Sequence, residues 1–202
     1  MHYVAHLCKD KKLKNLLQWQ PAFQLKQRRD IHLYLCASIM SQQLSVKVAD
    51  IIYKRFLNLY GTKKPGALQI SQTPFDVLRS IGLSAAKTGY VLNVATFAIE
   101  QGITTRMLSQ MDNEEVIAYI TQIKGVGRWT AEMLLMFALG REDVFSADDL
   151  GIQTAMRHLY KLDNTDKKKF RRQILSISEK WAPYRTFACM HLWAWKDIKE
   201  EI

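Results

Sequence analysis

Two adjacent carboxylates, Asp148 and Asp149, end a short loop and stand directly before a segment with helical spacing of apolar residues. A carboxylate at this point can cap the following helix by accepting backbone N–H groups. It can also stabilise positive charge that develops on a substrate, and it can orient or deprotonate an attacking water. Because adjacent side chains rarely point into one site, we expect only one of the two to serve chemistry and the other to cap the helix or brace the loop.

A second cluster with chemical meaning is Gly125-Val126-Gly127, which separates two amphipathic helical segments. The glycines let the backbone turn tightly and approach a ligand without a Cβ, while Val126 is expected to plug into the core. Amides at the start of the second helix attract an anion such as a nucleic-acid phosphate. The alternative is a structural hairpin whose glycines only save space. The apolar positions on both sides favour phosphate binding.

These positions form a helix-hairpin-helix pattern over about residues 113–140, made by Ile120, Ile123, Gly125, Val126, Gly127, Ala131 and Leu134. Followed by the loop that ends in Asp149, the pattern resembles the HhH-GPD superfamily of base-excision DNA glycosylases, over residues 30–202. The resemblance implies one domain over residues 1–202, with a two-lobed, all-α fold and an active-site cleft between the lobes. The N- and C-terminal helices would form one lobe and the middle helices the other.

The resemblance assigns catalysis to Asp149, the second of the two carboxylates. Breaking an N-glycosidic bond produces an oxocarbenium-like sugar, which a carboxylate stabilises while it orients or deprotonates water. In relatives that also cut the DNA backbone, a lysine directly follows the position of Arg128 and forms a Schiff base. Here that residue is Trp129, so the resemblance implies a monofunctional glycosylase without lyase activity.

The segment GRWTA is similar to the alkylation-repair branch of the superfamily, the 3-methyladenine DNA glycosylase II type. The resemblance places Trp129, Trp193 and Met133 at the base pocket, although Met133 occupies a position that is aromatic in some relatives. Alkylated purines are often cationic, and indole rings attract them through cation-π contacts. The expected activity is base flipping and hydrolytic excision of alkylated purines in base-excision repair.

Contacts with DNA are expected from the hairpin, from the segment 41–45 and from Lys87. The hairpin would hold the backbone through Gly125, Val126, Gly127, Arg128 and Thr130. The segment 41–45 is similar to the family loop that fills the gap left by the extruded base, with Leu44 as the wedge and Gln42 and Gln43 contacting the orphaned base or the backbone. The alternative for this segment is a polar interhelical turn with Leu44 tucked inward. Lys87 fits either a phosphate contact or a solvated helix face.

The resemblance also implies a monovalent cation, Na⁺ or K⁺, held by the main-chain carbonyls of Thr121, Ile123 and Val126. No other cofactor is expected. Members of the superfamily with an iron-sulfur cluster hold it with four closely spaced cysteines near the C-terminus, whereas Cys8, Cys36 and Cys189 are widely separated. We interpret the three cysteines as apolar packing residues.

Helix start and stop signals recur along the whole chain, and no segment alternates like a half-buried strand. We therefore predict an all-α fold of about nine or ten helices, with boundaries at 31–42, 46–60, 74–81, 84–100, 113–122, 128–139, 149–160, 166–180 and 184–199. Residues 61–73 look like the loosest stretch. In the first 29 residues only a helix near 13–19 is indicated.

Composition supports a nucleic-acid partner, because 29 Lys and Arg against 19 Asp and Glu give a formal charge of +10. We expect a monomer that acts on double-stranded DNA with a damaged base. The sequence begins without the apolar core of a signal peptide, so we expect no membrane partner and a location in the cytoplasm with the nucleoid of a bacterium or in a eukaryotic nucleus. Three alternatives remain at this point: a mismatch-specific adenine or thymine glycosylase, a non-catalytic lesion-binding protein, and a basic helical bundle that binds membranes or proteins.

Overall fold

The computed structural model describes residues 2–61 and 63–200, and side chains through residue 197. Every regular element in these ranges is an α-helix, which confirms the all-α prediction. The described residues form thirteen helices, so the expected number was too low. No helix in these ranges has the length and apolar character needed to cross a bilayer.

The chain divides into two compact units, which we call the terminal unit and the central unit. The terminal unit combines Met1–Lys26 with Gly140–Ile202, and the central unit is Gln27–Leu139. The terminal unit contains α1 (His2–Leu7), α2 (Lys11–Leu17), α11 (Leu150–Tyr160), α12 (Lys167–Glu179) and α13 (Arg185–Glu200). The central unit contains α3 (Ile31–Ser41), α4 (Val46–Asn58), α5 (Ala67–Ser71), α6 (Phe75–Ser80), α7 (Ala85–Glu100), α8 (Thr105–Leu108), α9 (Asn113–Ile120) and α10 (Arg128–Phe137).

The terminal unit joins both ends of the chain through the carboxylate of Asp10. This carboxylate caps α2 at the amides of Lys12 and Leu13, and it accepts hydrogen bonds from the Tyr160 hydroxyl at 2.6 Å and the Trp181 indole at 3.1 Å. Burial alone would raise the pKa of Asp10, but these four donors outweigh it and the pKa is lowered. The fully buried Trp181 thereby serves as a core residue that ties α2 to the C-terminal helices.

The centre of the central unit is α3, which contacts α4, α7 and α10. Contact on several sides explains why this helix is apolar almost all round rather than amphipathic. Its Cys36 is fully buried, and burial raises the pKa of the thiol to about 12, so the thiol remains protonated and packs as a small apolar side chain.

The starts of the predicted helices lie within one residue of the observed ones, apart from the helix near 13–19. The side chains at these starts have different roles. Asp30 precedes α3 and binds Lys64 at 2.8 Å without capping the helix. Pro74, the first residue of the predicted helix 74–81, lies at the N-cap of α6. Asp166 caps α12 through the Lys169 amide.

The helices absent from the sequence prediction are the short ones α1, α5 and α8. Each has only four to six residues, fewer than two turns, and so carries little periodicity. Short helices of this kind owe their stability to tertiary contacts, which a local pattern does not reveal.

Candidate active site

Asp149 occupies the N-cap of α11, and its carboxylate is held by two donors. Its Oδ1 accepts the backbone N–H of Ile152 at 2.8 Å and the indole N–H of Trp193 at 2.8 Å. Trp193 lies on α13, which contacts α11 within the terminal unit. The structure thus brings together two residues that the sequence had singled out separately. Capping and a role in chemistry are compatible, because a cap fixes the orientation of the carboxylate.

Gly151 makes this contact sterically possible, and sequence reasoning missed it. A Cβ on Gly151 would lie 3.0 Å from Cδ1 and 3.2 Å from Nε1 of Trp193, and 3.1 Å from Oδ1 of Asp149. These separations are shorter than ordinary van der Waals contact. A glycine in the first turn of a helix, where it carries a propensity cost, was the available signal.

The neighbouring carboxylate, Asp148, points elsewhere. It forms two hydrogen bonds with the Arg171 guanidinium, at 2.9 and 3.3 Å. This agrees with the expected bracing role for Asp148, while the capping role belongs to Asp149.

The loop before Asp149 is fastened to the start of α13. Arg185 donates to both carboxylate oxygens of Asp143, at 2.6 and 2.8 Å. The Thr186 hydroxyl donates to the carbonyl of Arg141 at 2.6 Å. The helix that carries Trp193 therefore also holds the loop that leads to Asp149 in place. These partners are more than 40 residues apart in the chain, so no local pattern indicates them.

In the central unit the hairpin between α9 and α10 is braced by α7. Gly125 has a φ of +104°, and a Cβ there would lie 2.2 Å from the Tyr90 ring. The Asn93 amide donates to the carbonyl of Lys124 at 3.2 Å. Val126 is buried, as its expected role as a plug requires. Gly127 occupies the N-cap of α10 and supplies no capping side chain for the first-turn amides.

The side chains of α10 have distinct environments. Arg128 makes a bidentate pair with Glu114, at 2.6 and 2.9 Å, and donates to the buried Glu132 at 3.0 Å. The hydrogen bonds that Arg128 donates to Glu114 raise the pKa of Arg128. Thr130 and Met133 are buried, whereas Trp129 is 45% exposed. The exposed indole is accessible for stacking, and Arg128 already has carboxylate partners.

The turn between α3 and α4 presents its central residues to solvent. Gln43 has a φ of +58°, and Leu44 is 37% exposed, which does not fit the alternative of a Leu44 tucked inward. The Lys87 ammonium donates to the carbonyls of Met40 at 3.0 Å and Gln42 at 2.6 Å. Lys87 therefore caps the C-terminal end of α3, which neither sequence interpretation had included, and its partial burial lowers its pKa.

The helical fold with this glycine hairpin defines a helix-hairpin-helix protein. Residues 36–180 match the HhH-GPD superfamily of base excision DNA repair proteins, and the chain belongs to that family. DNA-3-methyladenine glycosylase 1 of Schizosaccharomyces pombe is 39% identical over 161 residues, which are 79% of this chain and 69% of that protein. A putative DNA-3-methyladenine glycosylase of Bacillus subtilis is 29% identical over 172 residues, covering 81% of this chain and 59% of the relative.

Two solved structures are similar over nearly the whole chain. The S. pombe 3-methyladenine DNA glycosylase in complex with abasic DNA has a TM-score of 0.82 and 34% identity, covering 96% of this chain and 95% of that one. A DNA-3-methyladenine glycosidase of Bacillus halodurans has a TM-score of 0.84 and 32% identity, covering 97% and 89%.

Proposed function

We propose that this protein is a DNA glycosylase that flips alkylated purines of the 3-methyladenine type out of duplex DNA and hydrolyses their N-glycosidic bond. The observation that carries the proposal is Asp149, which follows a helix-hairpin-helix motif and is oriented by the Trp193 indole at 2.8 Å. The relatives named as 3-methyladenine glycosylases supply the substrate class.

Hydrolysis of the N-glycosidic bond requires a fixed negative charge next to the sugar. As the base departs, positive charge develops over C1′ and the ring oxygen, and a carboxylate held in place stabilises it without having to reorganise. The amide of Ile152 and the indole of Trp193 provide that fixed orientation. The carboxylate then directs water to C1′ and takes up its proton.

A cationic alkylated base needs little further help to leave, because its glycosidic bond is already weakened. Recognition then depends mainly on stacking. The half-exposed indole of Trp129 offers an electron-rich face to an electron-poor, positively charged purine. Normal purines carry no such charge, so the same face attracts them less.

The test is release of methylated purines from methylated duplex DNA by the wild type and by Asp149→Asn. Asparagine caps helices as well as aspartate does, so the variant should keep its thermal stability and lose at least about 10²-fold in excision rate. The matched control is Asp163→Asn, the same chemical change on an exposed loop of the terminal unit, which should excise normally. Absence of release by the wild type, or full activity of Asp149→Asn, would overturn the proposal.

We further propose that the enzyme lacks AP-lyase activity. A lyase of this type attacks C1′ with an amine, and the residue after Arg128 is Trp129, which has none. Borohydride added during turnover should therefore trap no covalent protein–DNA adduct. Efficient trapping would contradict this part of the proposal.

For base extrusion, we assign the gap-filling role to Leu44, supported by its exposure at the turn after α3. Leu44→Ala should lose more excision activity on a lesion in duplex DNA than on the same lesion in a single strand, where no stacked gap has to be filled. Equal losses on both substrates would contradict the assignment.

The hairpin carbonyls fit a monovalent cation. The carbonyl of Ile123 accepts the Val126 N–H at 2.9 Å, and among the described residues the carbonyl oxygens of Thr121 and Val126 accept no hydrogen bond. Neutral carbonyl oxygens are suitable ligands for Na⁺ or K⁺. A bound ion would hold the turn in shape for a DNA phosphate. Anomalous scattering from crystals grown in rubidium or thallium salts would reveal the site, and absence of a peak would count against it.

A further inference from the structure

A groove of about 540 Å³ lies between α11 and α12 in the terminal unit, outside the contacts described for Asp149. Leu150, Gln153, Thr154 and Arg157 follow each other along one face of α11 and line one wall. Lys167 and Arg171 of α12 line the opposite wall. Polar and cationic side chains dominate this lining, which suits an extended anionic ligand better than an apolar one.

The charge of the groove is positive. Arg157, Lys167 and Arg171 face a single acid, Asp148. Arg171 is bound to Asp148, but both side chains are about half exposed, and such pairs are weak and exchange readily. Among the described residues, neither Arg157 nor Lys167 pairs with a carboxylate. Two cations are therefore available to an incoming anion, and a third can rearrange towards it.

The position of the groove beside Asp149 indicates which anion it binds. Its lining includes Asp148 and Leu150, the two chain neighbours of Asp149, and Leu150 is 78% exposed there. From Leu150 the lined face of α11 runs to Arg157, roughly 10 Å along the helix, which matches the axial rise of about three nucleotides of one strand. A nucleotide that presents its C1′ to Asp149 remains joined to its neighbours, so their phosphates must leave the site close to this groove.

We propose that the α11–α12 groove binds the sugar–phosphate backbone of the strand that carries the extruded nucleotide. Arg157 and Lys167 neutralise phosphates, Arg171 moves from Asp148 towards the strand, and Leu150 lies against a deoxyribose. This inference rests on the proposed function, since it takes the location of the reacting sugar from Asp149. It adds a second backbone contact, in the terminal unit, to the hairpin of the central unit.

The first experiment compares two double variants of equal charge change. Arg157→Gln/Lys167→Gln removes groove cations, whereas Lys168→Gln/Arg172→Gln removes exposed cations of α12 that do not line the groove. Binding to a fluorescent duplex with a stable abasic-site analogue is measured by anisotropy between roughly 50 and 200 mM salt, and melting curves confirm that both variants fold.

Removing one cation that binds a phosphate should lower the slope of log Kd against log salt by about 0.9 and weaken binding about 5- to 10-fold near 0.1 M salt. The groove variant should therefore show a slope reduced by about 1 to 2 units, and the control variant a much smaller change. Equal changes in the two variants would mean that the cations act only through overall charge, and would overturn the proposal.

The second experiment locates the binding site on the DNA. Single phosphates on either side of the abasic analogue are replaced by uncharged methylphosphonates, first in the lesion strand and then in its complement. At the phosphate that the groove binds, neutralisation should weaken binding by the wild type and by the control variant but should have little further effect on the groove variant. Additive effects at every phosphate, or coupling only in the complementary strand, would overturn the proposal.

Excision of methylated purines by the unaltered protein is measured alongside. If the groove and control variants differ as expected but no base is released, the proposed glycosylase activity fails and the groove remains a DNA-binding surface. If bases are released and the two variants behave alike, only the groove assignment fails.

Discussion

At the scale of the residue, the two adjacent carboxylates of the active-site loop have different roles because they bind different partners. Asp148 binds a guanidinium on α12, whereas Asp149 accepts a backbone amide and an indole N–H through one oxygen. Hydrogen bonds to a charged acceptor contribute about 1.5–3 kcal/mol each, enough to hold a carboxylate in one orientation. The orientation of Asp149 is therefore a property of the folded terminal unit before any DNA binds.

The first prediction concerns Gly151. In Gly151→Ala the new Cβ would meet Trp193 and Asp149 at 3.0–3.2 Å, so the indole must shift and its hydrogen bond to the carboxylate must lengthen. Misplacement of a catalytic group by about 1 Å can cost about 10²-fold in rate, and we expect a loss of excision of about 10- to 100-fold. Alanine gains about 1 kcal/mol over glycine in helix propensity, which offsets the steric cost of these contacts, so the melting temperature should change little.

The control for this substitution is Gly89→Ala in α7, where a Cβ would meet nothing within 4 Å. It should gain the same helix propensity and leave excision unchanged. Wild-type excision by Gly151→Ala would show that the contact between Trp193 and Asp149 does not limit catalysis.

The sequence predicted Asp149 and Trp193 as site residues but not the hydrogen bond between them. A loop carboxylate before a helix is a local pattern that pointed to Asp148 and Asp149, and the family resemblance selected Asp149 and supplied Trp193. Its bond to Trp193 spans 44 residues, and the clamp of Arg185 on Asp143 spans 42. Such contacts depend on how α11 and α13 meet, which periodicity does not specify. The position of Gly151 in the first turn of a helix was a signal in the sequence, but the reason for a glycine there is visible only once the indole is placed.

At the scale of the element, the hairpin between α9 and α10 depends on α7. Its glycine pattern was visible in the sequence because the requirement for a left-handed residue is local. The brace was not visible, because Tyr90 and Asn93 lie more than 30 residues before the hairpin residues they contact. The same limit explains Lys87, which the sequence assigned to phosphate or solvent and whose capping of α3 it did not indicate.

The second prediction separates the two hairpin glycines. Gly125→Ala combines a positive φ, which costs about 1–2 kcal/mol, with a clash against the Tyr90 ring that costs about 1–3 kcal/mol. We expect the free energy of unfolding to fall by about 2–5 kcal/mol, measured by urea denaturation. Tyr90→Ala in the same chain should relieve only part of the steric loss, because it removes the ring but keeps the Cβ of residue 90, which would lie 2.6 Å from the new methyl group.

Gly127→Ala should behave in the opposite way. A Cβ at Gly127 would meet no atom of the protein within 4 Å, and its φ of −94° suits any residue. Stability should therefore be unchanged, while DNA affinity falls if a phosphate approaches this part of the backbone. Loss of stability in Gly127→Ala, or none in Gly125→Ala, would contradict this division.

At the scale of the whole molecule, the N-terminal segment that the sequence left largely unassigned is an integral part of the terminal unit. The Tyr3 ring stacks on Phe187 with centroids 4.0 Å apart. The Gln20 side-chain oxygen accepts a hydrogen bond from Nδ1 of His191 at 2.6 Å, and the Gln20 amide nitrogen donates to the backbone carbonyl of His191 at 3.2 Å. The first helices thus support α13 two residues before Trp193. Their weak amphipathic pattern follows from their shortness, and only the folded unit shows what they contact.

The third prediction follows from His191. Burial lowers the pKa of its imidazole to about 4 from the ordinary value of 6.5. The folded protein therefore keeps this ring neutral where the unfolded chain already binds a proton. Since the unfolded state then holds more protons, the free energy of unfolding is fully retained above pH 6.5 and falls as the pH drops from 6.5 to about 4. The slope in that window is at most about 1.4 kcal/mol per pH unit from this residue.

His191→Gln removes the titration and keeps a side-chain amide that can still hydrogen-bond Gln20. Urea denaturation between pH 6.5 and 4.5 should give a flatter dependence for this variant than for the wild type, with lower stability at neutral pH because the ring no longer packs against Phe23. The window lies above the range in which Asp10 loses its contribution, since the pKa of that carboxyl is lowered from 3.8. An unchanged slope in the variant would mean that His191 does not carry the acid sensitivity of the terminal unit.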